Sequence, residues 1–169
     1  MEKVFTDENQ TCQIDFSAAD WATDQLNAMF HAAKLSILND VDFVAETNEE
    51  LLLVEYKNAN LPGAAHPENF RPLEDKKLNN VARKYYDSRS ALQVLGHTKK
   101  KKTRYIYILE CVNGDSVLRK RVRNLLAARL PFLLQKQVNL AEHWIDSLEV
   151  LSVDEWNNQY KNFPLVLKY

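Results

Sequence analysis

Cysteine is scarce in this chain. Cys12 and Cys111 are the only two, and they lie far apart in a spacing that matches no zinc ribbon and no dithiol redox motif, which leaves two reduced thiols. The four histidines, His31, His66, His97 and His143, are scattered, so neither a histidine metal cluster nor a histidine-based nucleophile system is indicated. No apolar run approaches the roughly 20 residues that a membrane-spanning helix needs. Glu2, Asp7 and Glu8 interrupt the opening of the chain, which predicts no secretory signal. A cytoplasmic protein without a membrane partner is the expectation. There is no internal repeat and no low-complexity linker. The net charge of −1 argues against a uniformly basic nucleic-acid binder.

What the chain does have is the composition of one folded domain. Its 169 residues are 46% hydrophobic and 27% charged, enough to build a core without disulfides or structural metal. Ser17 is a good N-cap, and Ala22, Leu26, Met29, Phe30, Ala33 and Ile37 recur at helical spacing, predicting a first helix from Ser17 to about Leu38. Val41 to Glu46 and Leu51 to Asn58 read as two strands of a hairpin. Asn58 to Asp75, with Pro62, Gly63, Pro67 and Pro72, reads as one long loop. A second helix fits Lys77 to Leu95 with Gly96 as its stop. A strand follows over Arg104 to Val112. A third helix runs from Asp115 or Ser116 to about Leu130, and a late strand covers Trp144 to Val153. This alternation predicts an α/β domain spanning residues 1–169, with a central mixed β-sheet flanked by helices.

Two charges in the hairpin stand out. Strand side chains alternate between faces, so Leu51, Leu53, Glu55 and Lys57 share one face while Leu52, Val54 and Tyr56 share the other. One face thus changes abruptly from leucine to Glu55 and Lys57, and unpaired buried charges cost several kcal/mol. On the first strand Asp42 shares a face with Val44 and Glu46. If the runs pair, Asp42 and Glu55 come side by side at one end. Their mutual repulsion would be relieved by a divalent cation with a taste for hard oxygen, Mg²⁺ or Mn²⁺.

This arrangement resembles the PD-(D/E)XK nuclease superfamily, the restriction-endonuclease-like proteins. The resemblance rests on Val41-Asp42, a gap of 12 residues, and Glu55-Tyr56-Lys57 behind the apolar run Leu51 to Val54. It covers about Ser17 to Val112. Two departures accompany it: Val41 stands where the family name has proline, and no glutamate lies between Ser17 and Leu38, where some members have a further metal ligand. The family's short first strand is not obvious, and Thr11 to Phe16 is a candidate for it. The resemblance implies metal-assisted phosphodiester hydrolysis. Asp42, Glu55 and the backbone carbonyl of Tyr56 would hold the metal, and Lys57 would position the attacking water and stabilise developing charge.

Charge is unevenly spread. From Lys99 to Arg129 there are ten Lys or Arg against two acids, Glu110 and Asp115, so this stretch carries +8 and the remainder −9. Lys99, Lys100, Lys101, Lys102, Arg119, Lys120, Arg121 and Arg123 are therefore candidate phosphate contacts, with a solvated loop and helix face as the equal alternative. Lys84, Tyr86 and Arg89 on the second helix could also contact substrate, although a core tyrosine with exposed neighbours is the simpler reading. The leading expectation is a Mg²⁺-dependent nuclease acting on DNA, alone, as a homodimer or with a protein partner. The alternatives are a non-catalytic module of the same fold that binds nucleic acid or protein, and an interaction protein whose basic segment meets an acidic partner.

Overall fold

A computed structural model describes residues 3–169. Two sheets organise the chain. The main one has five strands in the order β3 (Trp21–Thr23), β4 (Phe43–Glu46), β5 (Glu50–Asn58), β6 (Lys102–Glu110) and β7 (Ser147–Leu151). β3, β4 and β5 form an antiparallel meander, whereas β5, β6 and β7 run parallel. The smaller sheet is antiparallel, in the order β1 (Val4–Thr6), β2 (Cys12–Asp15), β8 (Leu165–Leu167). Parallel neighbours require a crossover. Between β5 and β6 it is α2 (Asp75–Val94), and between β6 and β7 it contains α3 (Ser116–Ala127) and α4 (Phe132–Gln137). The fold is α/β with a mixed sheet flanked by helices, as the alternation of elements predicts. Among the described residues no helix is long and apolar enough to cross a membrane.

β5 is buried on both faces, which explains its near-continuous apolar run. Leu51 and Leu53 pack with Leu78, Val81, Tyr85 and Leu92 of α2 and Val122 and Leu126 of α3. Leu52, Val54 and Tyr56 pack on the opposite side with Ile106, the small-sheet residues Ile14 and Leu165, and Trp156 of α5 (Val153–Gln159). The hairpin, the second helix, the Tyr- and Ile-rich strand and the late strand all form close to their expected limits. Asp115 caps α3 through the Leu118 N–H at 2.8 Å.

The first helix is different from the expectation. Residues 21–23 form β3, with Trp21 opposite Glu46, Ala22 opposite Ala45 and Thr23 opposite Val44. The helix, α1, covers only Leu26–Ala32. Ser17 caps nothing: its N–H is bonded to Asp15 Oδ1 at 2.8 Å. Of the proposed apolar stripe only Leu26 and Phe30 are buried, while Met29 and Ile37 are exposed. Sheet pairing offers Trp21 and Thr23, an aromatic and a β-branched residue, a partner that an isolated helical period cannot match. The chain turns away at Lys34, whose φ is +58°. Thr11 to Phe16 does contain a strand, β2, but in the smaller sheet. The first strand of the main sheet is β3.

α2 ends on Gly96, at φ +88°. The Gly96 N–H reaches the Gln93 carbonyl at 3.0 Å and the His97 N–H reaches that of Leu92 at 3.0 Å, which is a Schellman closure. No atom lies within 4 Å of where a Cβ would stand, so Gly96→Ala meets only the backbone cost of a left-handed alanine, about 1 kcal/mol. The expected outcome is a melting temperature lower by about 2–4 °C. A scanning calorimetry trace equal to that of the parent chain would contradict this account of the helix end.

Candidate active site

The antiparallel register pairs Phe43 with Val54, so Asp42, one residue earlier, comes opposite Glu55 at the end of the ladder. Three side chains on one face of α2 shape this corner, spaced three and four residues apart as helix geometry requires. Asp87 Oδ2 accepts the Asn39 N–H at 2.9 Å and Ser88 Oγ accepts the Val41 N–H at 3.0 Å. Together they fix the segment that delivers Asp42. The third, Lys84, places its Nζ 2.7 Å from Glu55 Oε1. The strand itself holds Asp42, because the Tyr56 N–H donates to Asp42 Oδ2 at 2.7 Å.

The electrostatics are strained in one direction. Glu55 is 6% exposed, and its Oε2 is buried without a hydrogen-bond partner among the described residues. Burial, then the charge of Asp42, push its carboxyl up to about 8 against the pull of Lys84. Burial likewise raises Asp42, opposed by Lys84 and by the Tyr56 N–H. Burial disfavours charge on Lys84, yet Glu55 and Asp42 keep its ammonium above its ordinary range. Two carboxylates sharing one lysine and an orphaned oxygen leave room for further positive charge.

Lys57 is exposed. It lies on the same strand face as Glu55, and its Nζ sits 5.6 Å from the centre of the Phe70 ring, within reach of a cation–π contact. It lines a small cleft with Asp42, Tyr56, Asp7 and Glu8. Asp42, Asp7 and Glu8 also border a larger cleft of about 500 Å³, together with Asp24, Asp40 and Lys84. The Tyr56 side chain points into the other core and its hydroxyl accepts from Asn58 Nδ2 at 3.3 Å. Asp7 is 8% exposed and is consumed locally, accepting the N–H groups of Thr11 and Cys12 at 2.6 Å each.

The hairpin charges are legible in the sequence, whereas the pairing of Lys84 with Glu55 is not. The position of Lys84 three and four residues before Asp87 and Ser88 is visible in the sequence, but which face of α2 meets β5 is not. Asp7 carried no sequence signal, since only the folding of the small sheet against the hairpin brings it to the cleft.

The basic stretch is divided by the fold. Lys99, Lys100, Lys102, Lys120, Arg121 and Arg123 are exposed. Lys101 is bound to Glu46 at 2.9 Å. Arg119 is 8% exposed and is held by both Glu155 oxygens at 2.9 Å. In the parallel register Lys102 is opposite Glu50, so the lysine turn lies about 17 Å along β5 from Glu55 at the usual strand rise. α3 packs on β7, with Arg123 Nε donating to the Leu148 carbonyl at 3.0 Å. Tyr86 and Arg89 are occupied elsewhere: the Tyr86 hydroxyl donates to the Arg129 carbonyl at 2.9 Å, and Arg89 is 1% exposed.

Compared with known proteins, the chain matches no family model, no curated protein and no solved structure.

Proposed function

We propose that this chain is a Mg²⁺- or Mn²⁺-dependent nuclease of the PD-(D/E)XK, restriction-endonuclease-like type, hydrolysing phosphodiester bonds of DNA. The observation that carries the reading is the Asp42–Glu55 corner: two carboxylates at the open end of a buried hairpin, one with an orphaned oxygen, and a lysine two residues further on beside a cleft. The order of hairpin, α2 and parallel β6 supports the same fold type.

The donor set fits a divalent cation. Among the described residues no three His, Cys, Asp or Glu side chains converge on one point. Mg²⁺ needs no such cage, because it is commonly held by one or two carboxylates and keeps several waters. Glu55 Oε2 has no partner among the described residues. Asp42 Oδ1 accepts no hydrogen bond from the described residues, since the Tyr56 N–H engages Oδ2. These oxygens, with the Tyr56 carbonyl, would hold the ion. When bound, a divalent ion supplies Lewis acidity toward a phosphate oxygen and lowers the pKa of water. Lys84 holds Glu55 in place, and the Tyr56 N–H fixes the carboxylate of Asp42. Lys57, exposed at the cleft, is free to orient the attacking water and to meet negative charge developing on the phosphate. Exposed Lys99, Lys100, Lys102, Lys120, Arg121 and Arg123 offer sequence-independent phosphate contacts.

One observation favours a second reading. The Lys84–Glu55 ion pair already offsets part of the carboxylate repulsion, as a non-catalytic module binding nucleic acid or a protein partner would require. Incubation with supercoiled plasmid, linear duplex and single-stranded DNA in Mg²⁺, Mn²⁺ or EDTA separates the two. Cleavage that needs the metal and stops in EDTA is the expected result. An intact substrate under every condition, with no heat of Mg²⁺ or Mn²⁺ binding, turns the assignment to the non-catalytic module.

A further inference from the structure

Among the described residues, four buried side-chain polar atoms have no partner: Glu55 Oε2, Arg89 Nε, Thr103 Oγ1 and Ser147 Oγ. The first belongs to the corner above. Thr103 Oγ1 and Ser147 Oγ lie on opposite faces of the sheet where β6 and β7 begin, since Ser147 pairs with Arg104, and Arg89 is on α2. Buried polar atoms without partners are uncommon, and one on a guanidinium calls for a reason. Two residues that contact the Arg89 guanidinium, Glu142 and His143, line a pocket of about 290 Å³ together with Lys100, Lys101, Lys102 and Asp146.

The wall is cationic where it is uncommitted. Lys100 and Lys102 are exposed and have no ion-pair partner among the described residues. Lys100 is held at φ +60°, a conformation that a non-glycine residue adopts at a cost. Lys101 is committed to Glu46. Asp146 is committed as well, accepting the Thr103 N–H at 2.7 Å through Oδ2 and lying 3.3 Å from His143 Nδ1 through Oδ1.

Behind this wall lies Arg89, a fully buried guanidinium. Its contacts are long: Gln93 Oε1 at 3.5 Å, the His143 carbonyl at 3.4 Å and Glu142 Oε1 at 3.3 Å. The Glu142 side chain is 39% exposed. A buried guanidinium whose only carboxylate among the described residues is weakly engaged and free to swing into solvent is poised to exchange it for another anion. Arginine's planar fork suits phosphate, and phosphate offers the oxygen acceptor that an unpartnered Nε–H lacks.

We propose that this pocket is a phosphate-binding site. Lys100 and Lys102 receive the anion at the rim, and Arg89 engages it when Glu142 moves aside. The phosphate is carried either by a free nucleotide or by the terminus of a nucleic-acid strand. The site does not depend on cleavage at the Asp42–Glu55 corner, so it is tested with the metal withheld.

The test uses the full chain in EDTA, titrated with inorganic phosphate, adenosine monophosphate, and a short oligonucleotide with and without a 5′-phosphate. Binding is followed by calorimetry and by the Arg89 Nε–H resonance. Saturable binding of a phosphate-bearing ligand is expected, with a shift of that resonance. Lys100→Glu with Lys102→Glu, both at exposed positions, should weaken it about tenfold or more, equivalent to the loss of one charge-assisted contact. Glu142→Gln should tighten it by removing the competing carboxylate. Binding of phosphate and the mononucleotide identifies a free ligand, whereas binding confined to the 5′-phosphorylated strand identifies a strand terminus. The proposal is overturned by absence of saturable binding to all four ligands, by equal binding of the two oligonucleotides without binding of the small phosphates, or by indifference to the lysine reversals.

Discussion

Asp42→Asn and Glu55→Gln are each expected to remove metal-dependent cleavage, while Lys57→Ala leaves metal binding largely intact and still lowers turnover by about 10²–10³-fold. The carboxamides keep the shape of the side chains but withdraw the charges that would hold the ion. In Glu55→Gln the orphaned Oε2 is replaced or retained as a neutral group, and the attraction for a cation falls either way. Lys57 is exposed, and its ammonium makes no hydrogen bond or ion pair among the described residues and lies 5.6 Å from the Phe70 ring, so its loss disturbs the fold little. The three variants therefore divide into two classes when calorimetric Mg²⁺ or Mn²⁺ binding is measured beside cleavage and melting. If Glu55 and Lys57 were merely strand-end charges, Lys57→Ala would change stability by at most about 1 kcal/mol and affect nothing else. Cleavage that survives Asp42→Asn at the parent rate would place the chemistry elsewhere in the protein.

The metal-free protein should lose stability as pH rises through the neutral range, and Glu55 should be the main cause. Its carboxyl is raised from 4.5 to about 8 in the folded chain. Between those values the folded state holds a proton that the unfolded state has released, so the stabilisation is complete below about pH 4.5 and is gone above about pH 8. Asp42, also raised by burial, acts with the same sign. Lys84 is raised from 10.5, so its contribution is constant across this window. The expected loss is on the order of a few kcal/mol between pH 5 and 8, read from urea unfolding in EDTA. Glu55→Gln should flatten the curve and overtake the parent chain at pH 8. A divalent cation should restore the parent at that pH, since it favours the deprotonated carboxylates. Parallel stability curves for the parent and Glu55→Gln would refute the assignment of a strained carboxyl here.

Much of the main sheet was legible because its pattern is local. The period-two alternation of residues 51–57 places Glu55 and Lys57 on the face of Leu51 and Leu53, and the hairpin brings Asp42 opposite Glu55 with no information from elsewhere in the chain. Gly96 marks the end of α2, and Asp115 the start of α3, for equally local reasons. The first helix failed where locality fails. Residues 17–38 have a helical period, but Trp21 to Thr23 are claimed by the edge of β4, a partner some twenty residues away in sequence.

The amino-acid sequence by itself determined the α/β class, the hairpin and the two carboxylates with their neighbouring lysine, because each follows from side-chain periodicity and turn chemistry within a few residues. The tertiary structure decided the rest. It set Lys84 against Glu55, separated the basic stretch into buried Arg119, committed Lys101 and exposed neighbours, and left Glu55 Oε2 and Arg89 Nε without partners among the described residues. The difference is physical. Alternation within a strand is a property of one backbone, whereas burial, ion pairing and the dielectric around a charge depend on which surfaces meet when helices close over the sheet.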